Sequence, residues 1–166
     1  MVVKLSRGTT LSATLLFLTG CATSGTLGQV NNLQLLHDAL TVPLSELEAR
    51  ASEGDARAQY STGIAYEYGF GAADKHSTKA LQYKQLGLAA RGSTPITQYI
   101  AGLDGKPGRT AIINVPNYNV TRAEARVNDQ CAAAVAERRP NSAGATVCGS
   151  VSVYKELLEL AAEQES

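Results

Sequence analysis

A chain of 166 residues with 44% hydrophobic content is long and apolar enough for one domain with a core. Its 15 basic side chains against 15 acidic ones give a formal net charge of zero, so it has no electrostatic reason to seek nucleic acid. No apolar run reaches the roughly 20 residues that a membrane-spanning helix needs.

The N-terminus opens with Lys4 and Arg7, continues through the apolar Leu11 to Leu18, and closes with Leu18-Thr19-Gly20-Cys21. A basic end, a short apolar run and small residues in that order predict a secretory signal. Leu18-Thr19-Gly20-Cys21 resembles the lipobox of bacterial lipoproteins. The resemblance implies a signal peptide over 1–20, cleavage before Cys21 and diacylglycerol on the Cys21 sulfur. It also implies attachment to a membrane by lipid alone, which lasts when two or three acyl chains are present. Ala22 is not the aspartate associated with inner-membrane retention, so the resemblance points to the periplasmic face of the outer membrane. With Cys21 assigned to lipid, Cys131 and Cys148 remain. An exported chain meets an oxidising compartment, where a pair this close in sequence is expected to form a disulfide. The alternative is two separate buried thiols. No Cys-x-x-Cys spacing marks a redox pair.

Residues 21–31 are small and polar and predict a flexible tether. Asn32 to Leu40 carries Leu33, Leu35, Leu36, Ala39 and Leu40 at helical spacing. Pro43-Leu44-Ser45-Glu46 then reads as a helix start, with Thr41 as an N-cap, running to about Ser52 before Gly54. Asp55 is placed to cap a helix over Ala56 to Tyr68. Gly69-Phe70-Gly71 breaks it, and a further helix is expected from about Ser77 to Arg91, stopped by Gly92.

Two stretches recur. Gln59-Tyr60-x-x-Gly63-Ile64 returns as Gln98-Tyr99-x-x-Gly102-Leu103, and Ala51-Ser52-Glu53-Gly54 returns as Ala89-Ala90-Arg91-Gly92. The period is a little longer than the roughly 34 residues of a tetratricopeptide repeat. Glu53-Gly54-Asp55-Ala56-Arg57-Ala58-Gln59-Tyr60, Gly63, Tyr66, the Gly69-x-Gly71 turn, Lys79-Ala80-Leu81-x-Tyr83 and Ala89-Ala90-x-Gly92 resemble the Sel-one-like repeat, a helical-hairpin relative of the tetratricopeptide repeats. The match is full over about 54–92 and partial over 44–53 and 93–103. It implies an all-α fold of helical-hairpin repeats, a short α-solenoid occupying 32–103. In such a hairpin Gly63 and Ala80 are points of close helix approach, and Tyr60 and Tyr83 fill the gap between helices. Of Tyr60, Tyr66, Tyr68, Tyr83 and Tyr99 inside the repeat region, most are expected to be core or inter-helix filling.

Past Leu103 the repeat pattern fails, leaving 104–166 as an irregular C-terminal extension. Asp104-Gly105-Lys106-Pro107-Gly108 is loop. Thr110 to Val115 is β-prone and allows a short strand. Thr121 is placed to cap a helix from Arg122 to about Arg139. Ser142 to Gly149 reads as a loop carrying Cys148, and a last helix is expected from about Val151 to Ala162.

The sequence displays no recognised catalytic signature. His37 and His76 lack partners at metal-ligand spacing, so no metal and no cofactor are expected. Gly105-Lys106 is followed by Pro107 where a phosphate-binding loop needs Ser or Thr. No Gly-x-Ser-x-Gly elbow is present. The acidic residues Glu46, Glu48, Glu53, Glu67 and Asp74 read as solvated helix faces. Asn119-Val120-Thr121 reads as a helix cap, and Arg138-Arg139 as favourable charges at a helix C-terminus. Tyr66 and Tyr68 cannot both face the same way on one helix, so one of them is expected to be an exposed partner contact. The expectation is a lipid-anchored envelope scaffold or adaptor that binds another envelope protein, as related repeat lipoproteins do in secretion, polysaccharide-export and envelope-maintenance complexes. The competing expectation is a cell-wall or carbohydrate-active enzyme with its site in 104–150.

Overall fold

Helix α3 (Ala56–Tyr68) organises the structure because it is buried on almost every side, with Ala58, Tyr60, Thr62, Ile64 and Ala65 all inaccessible. A helix without a polar face belongs in the middle of a bundle. The computed structural model describes residues 31–164. A short 3-10 turn (Asn31–Leu33) leads into α1 (Gln34–Thr41), and α2 (Leu44–Ser52) precedes α3. After α3 come α4 (Ser77–Gly87), strands β1 (Ser93–Ile100) and β2 (Arg109–Pro116), then α5 (Arg122–Ala136), α6 (Asn141–Cys148) and α7 (Val151–Glu163). The protein is therefore mostly helical with one small antiparallel sheet.

Local chemistry sets the helix ends. Asp55 Oδ1 accepts from the amides of Arg57 (2.9 Å) and Ala58 (3.2 Å), which opens α3, and Arg50 donates to its other oxygen at 2.8 Å. Gly69, at φ 78°, closes α3 in the left-handed conformation that glycine adopts without strain. Thr121 caps α5 through the Glu124 amide, and Ser150 caps α7 through the Val153 amide. The start of α1 has no local cap. Its Leu36 amide donates instead to Oδ1 of Asn128 on α5, at 2.9 Å. The Asn128 side-chain amide donates to the carbonyls of Asn32 and Glu124. This buried asparagine thereby satisfies a helix end from a distant part of the chain.

The main core gathers Leu35, Leu36 and Leu40 from α1, Tyr60 and Ile64 from α3, Cys131 and Val135 from α5, and Val153, Tyr154 and Leu157 from α7. A satellite cluster of Leu47, Ala51 and Ala58 lies under α2. The first and last described helices therefore share one core around α3. At the far end, Gln164 accepts from the Gly71 amide at 2.6 Å and donates to the Leu40 carbonyl. Cys131 and Cys148 form a disulfide that joins α5 to α6, with Cα atoms 5.0 Å apart.

Helices α3 and α4 approach so closely that a side chain is excluded at two places. A Cβ on Gly63 would lie 2.6 Å from Lys84 Cγ and 3.0 Å from the Ala80 carbonyl oxygen. A Cβ on Gly87 would lie 2.8 Å from the Ala56 carbonyl oxygen and 3.0 Å from the Tyr60 nitrogen. Gly63 against Ala80 is the contact expected from the sequence. Gly87 is its reciprocal on α4.

Four expectations are corrected. The half-repeat read over 93–103 is not helical: Ser93–Ile100 is strand β1, paired antiparallel with β2. Thr94, Ile96, Thr97, Tyr99 and Ile100 are β-branched or aromatic, Pro95 disfavours a helix around it, and local preference prevails where no helix packs on the segment. Ser142 to Gly149 is not a loop, because Asn141–Cys148 is helix α6. Pro140 precedes its first turn and Gly149, at φ 93°, ends it. Gly144 is needed there, since a Cβ at that position would overlap the Tyr154 ring. Helix α4 stops at Gly87 and not near Arg91, whose amide instead donates to the Asn117 carbonyl at the base of the sheet. Thr41 is the last residue of α1 and bonds back to the His37 carbonyl, so Pro43 alone begins α2. The signal peptide expected over 1–20, the lipidation of Cys21 and the tether up to residue 30 lie outside the described residues.

Candidate functional site

The polar residues that converge do so at the joint between the α3–α4 hairpin and α5. Tyr60 donates to Asp129 Oδ2 at 2.7 Å, and Lys84 donates to Asp129 Oδ1 at 2.7 Å. Lys84 also pairs with Glu67, and its ammonium lies 5.5 Å from the Tyr60 ring centroid and 5.7 Å from that of Tyr68. Burial, reinforced by the Asp129 hydrogen bond, pushes the Tyr60 hydroxyl well above its ordinary range. Burial, with the nearby Glu67 and Asp129 charges, pushes Tyr68 up to about 12. These phenols are fixed as neutral donors near neutral pH. Asp129 is held by both a donor and a cation, so the cluster is built as a clamp between elements.

Neither Tyr66 nor Tyr68 is the exposed aromatic expected from the sequence: Tyr66 is buried and Tyr68 half-buried. Tyr66 is only 7% accessible, stacks on Tyr83 with ring centroids 6.0 Å apart, and donates to Glu48 Oε1 at 2.5 Å. Lys79 lies over its ring at 4.7 Å. The Glu48 hydrogen bond, and then burial, raise its pKa. Tyr68 is half-buried against Phe70 and lines a 240 Å³ cavity with Lys75, Val135, Leu158 and Gln164. Each ring found its own inward niche because α3 has neighbours all round, which a one-helix argument about opposite faces overlooks. His76 accepts from the Lys79 amide as the cap of α4. Among the described residues no group of three or more His, Cys, Asp or Glu side chains is placed to hold a metal. Within 104–150 the carboxylates are spread out: Asp104 is exposed in the loop between the strands, Glu124 pairs with Arg57 at 2.8 Å, Asp129 with Lys84, and Glu137 with Arg139 at 2.7 Å.

The exposed apolar surface lies elsewhere. The β1–β2 ribbon projects from the helices, and almost every residue along both strands faces solvent. Seven of the twelve large hydrophobic side chains that are exposed among the described residues lie between 96 and 115, which singles out the ribbon as the surface to consider. Leu103 at the tip is 79% accessible, Ile112 74% and Tyr99 68%. Alternation along the strands sorts them. One face carries Ile96, Ile100, Ala111, Ile113 and Val115 among Thr94, Gln98 and Arg109, with Ile96 directly opposite Ile113. The other carries Tyr99 and Ile112 among Thr97, Thr110 and Asn114. At its base the ribbon is closed by Arg91 N–H to the Asn117 carbonyl (2.8 Å), Asn117 N–H to the Gly92 carbonyl (3.1 Å) and Thr94 Oγ1 to Asn117 Oδ1 (3.1 Å). An exposed, contiguous apolar surface of this kind marks a site of interaction.

No family model, no curated protein and no solved structure matches the chain. Sequence reasoning read Thr110 to Val115 as β-prone but missed β1 and the ribbon as an exposed surface, although a signal was present. Alternating β-formers on both sides of Asp104-Gly105-Lys106-Pro107-Gly108 are the pattern of a hairpin with a long loop.

Proposed function

We propose that this chain is a non-catalytic binding module of the bacterial cell envelope, and that the β1–β2 ribbon is the surface with which it grips another protein. The ribbon carries this reading: five of the eight residues on one face are apolar, Tyr99 and Ile112 stand exposed on the other, and no helix covers it. The ion pairs of Glu124, Asp129 and Glu137 and the neutral tyrosines of the joint favour binding over catalysis. The Leu18-Thr19-Gly20-Cys21 lipobox supports attachment through diacylglycerol on Cys21, at the periplasmic face of the outer membrane. The Cys131–Cys148 disulfide fits an oxidising compartment. The α3–α4 hairpin, with its glycine contacts and stacked tyrosines, supports a single Sel-one-like repeat unit within a short tetratricopeptide-like stack. The ribbon then stands where a second hairpin would continue that stack.

Two experiments test the reading. Metabolic labelling of cells with a radioactive fatty acid is expected to mark the native chain and not Cys21→Ser; equal labelling of both removes the lipid anchor. A photo-crosslinking residue placed at Tyr99 in the full chain is expected to give a discrete envelope adduct, while the same residue at the exposed Leu81 on α4 does not. Adducts from Leu81 alone move the binding surface to the helices.

A further inference from the structure

The two edges of the ribbon are not equivalent. In an antiparallel pair, residues alternate between those whose N–H and C=O point into the ladder and those whose N–H and C=O point outward. Asn117 N–H donating to the Gly92 carbonyl puts the inward bonds on the even-numbered residues of β1. The register then sets Thr94, Ile96, Gln98 and Ile100 inward against Val115, Ile113, Ala111 and Arg109. Pro95 and Pro116 both fall in the outward class, where their missing N–H costs no ladder bond. On β1 this blunts the edge, because Pro95 removes a donor from its middle. On β2 the outward residues Thr110, Ile112 and Asn114 keep all three donors and all three acceptors. Among the described residues no other strand pairs with them.

We propose that the β2 edge pairs with the β2 edge of a second copy of this chain, antiparallel about a two-fold axis through Ile112. The inference rests on the partner-binding reading and names the partner. Three observations favour a second copy. The strand is self-complementary in this register: Ile112 meets its symmetry mate and Thr110 meets Asn114, so every outward N–H finds a carbonyl. Its one charge, Arg109, falls opposite Val115 of the other copy, so no like charges meet. Pairing also turns an isolated two-stranded ribbon, marginal in water, into a four-stranded sheet. It brings together the two Ile112 side chains, each 74% accessible when alone. Burial of the ribbon in a bilayer is disfavoured by the same edges, because unpaired backbone groups are not tolerated in hydrocarbon.

The test uses the full chain carrying Cys21→Ser, isolated from an oxidising compartment, in sedimentation equilibrium across the micromolar range. A reversible dimer is expected. Ile112→Pro removes the central outward donor in both copies and no ladder bond, so it is expected to weaken association by on the order of tenfold or more. Ile112→Lys keeps every backbone donor, sets two like charges across the axis and is expected to weaken it similarly. Thr97→Pro, on the edge already interrupted by Pro95, is expected to leave the dimer constant unchanged. Circular dichroism confirms that each variant is folded. A monomer at all concentrations overturns the proposal, as does a dimer indifferent to both Ile112 variants. A monomer whose Tyr99 still crosslinks to a different envelope protein overturns it too, while leaving the partner-binding reading intact.

Discussion

Gly87→Ala sets two effects of opposite sign against each other. Gly87 is the last residue of α4, and alanine is favoured over glycine in a helix by about 1 kcal/mol. Against this, the new methyl would sit 2.8 Å from the Ala56 carbonyl oxygen, 2.9 Å from Tyr60 Cβ and 3.0 Å from the Tyr60 nitrogen. Two of those three atoms are backbone at the start of α3, so no flexible side chain can swing aside. The helices must separate, and overpacking of this kind costs roughly 1–3 kcal/mol. Separation also strains the hydrogen bond from Tyr60 to Asp129, which adds to the upper part of that range. The net expectation is a loss of about 1–2 kcal/mol, or a fall of roughly 3–8 °C in Tm for a domain of this size. Differential scanning calorimetry of the native and substituted chains measures it. A Tm that is unchanged or higher would mean that helix propensity prevails and that α3 and α4 are not in the close contact described.

Other expectations follow from the same packing. Reducing the Cys131–Cys148 bond, whose partners are 17 positions apart, is expected to cost about 3 kcal/mol, read as a lower denaturation midpoint in the presence of a phosphine. Asp55→Ala removes the α3 cap and is expected to cost about 0.5–2 kcal/mol at neutral pH. Burial pushes the Asp55 carboxyl up, but Arg50 and the amides of Ala58 and Arg57 outweigh it and hold the group below its ordinary value. A depressed carboxylate stabilises fully above its unfolded pKa of about 3.9 and loses that contribution as pH falls through the folded value. The stability gap between native and Asp55→Ala chains should therefore be full at pH 7 and close below about pH 4 in urea melts. Ser61→Ala is expected to stabilise the chain by about 1 kcal/mol in the same melts, because the buried Ser61 hydroxyl finds no hydrogen-bond partner among the described residues.

The helices were legible where local chemistry and packing agree. Asp55, Gly69, Thr121 and the apolar spacing of Val151 to Ala162 mark ends and faces by themselves, and Gly63 announces close packing through its repeat motif. Asn128 was not legible, because its role is to cap α1 from across the core and nothing near it in sequence says so. Nor was α6, whose small, polar residues read as loop until Tyr154 fills the space beside Gly144. Strand β1 was read as a helical half-repeat because Gln98-Tyr99-x-x-Gly102 repeats an earlier string, whereas Thr110 to Val115 was read as β-prone and forms β2. A string of that length weighs less than alternating Thr and Ile around a proline. Tyr66 and Tyr68 were misplaced for a related reason. Their surroundings come from α2, α4 and α5, and no single helix carries that information.

Replacing 94–115 with a short Gly-Ser link separates binding from folding. Gly92 and Asn117 already meet at the base of the ribbon, so the link closes a gap that the native chain closes itself. The helical circular dichroism and Tm of the shortened chain should match those of the native chain, while its crosslinked adducts in the envelope, followed from a photo-reactive residue at Tyr118, should disappear. Persisting adducts, or a helical body that melts without its ribbon, would contradict the assignment of this strand pair as the surface through which the protein works.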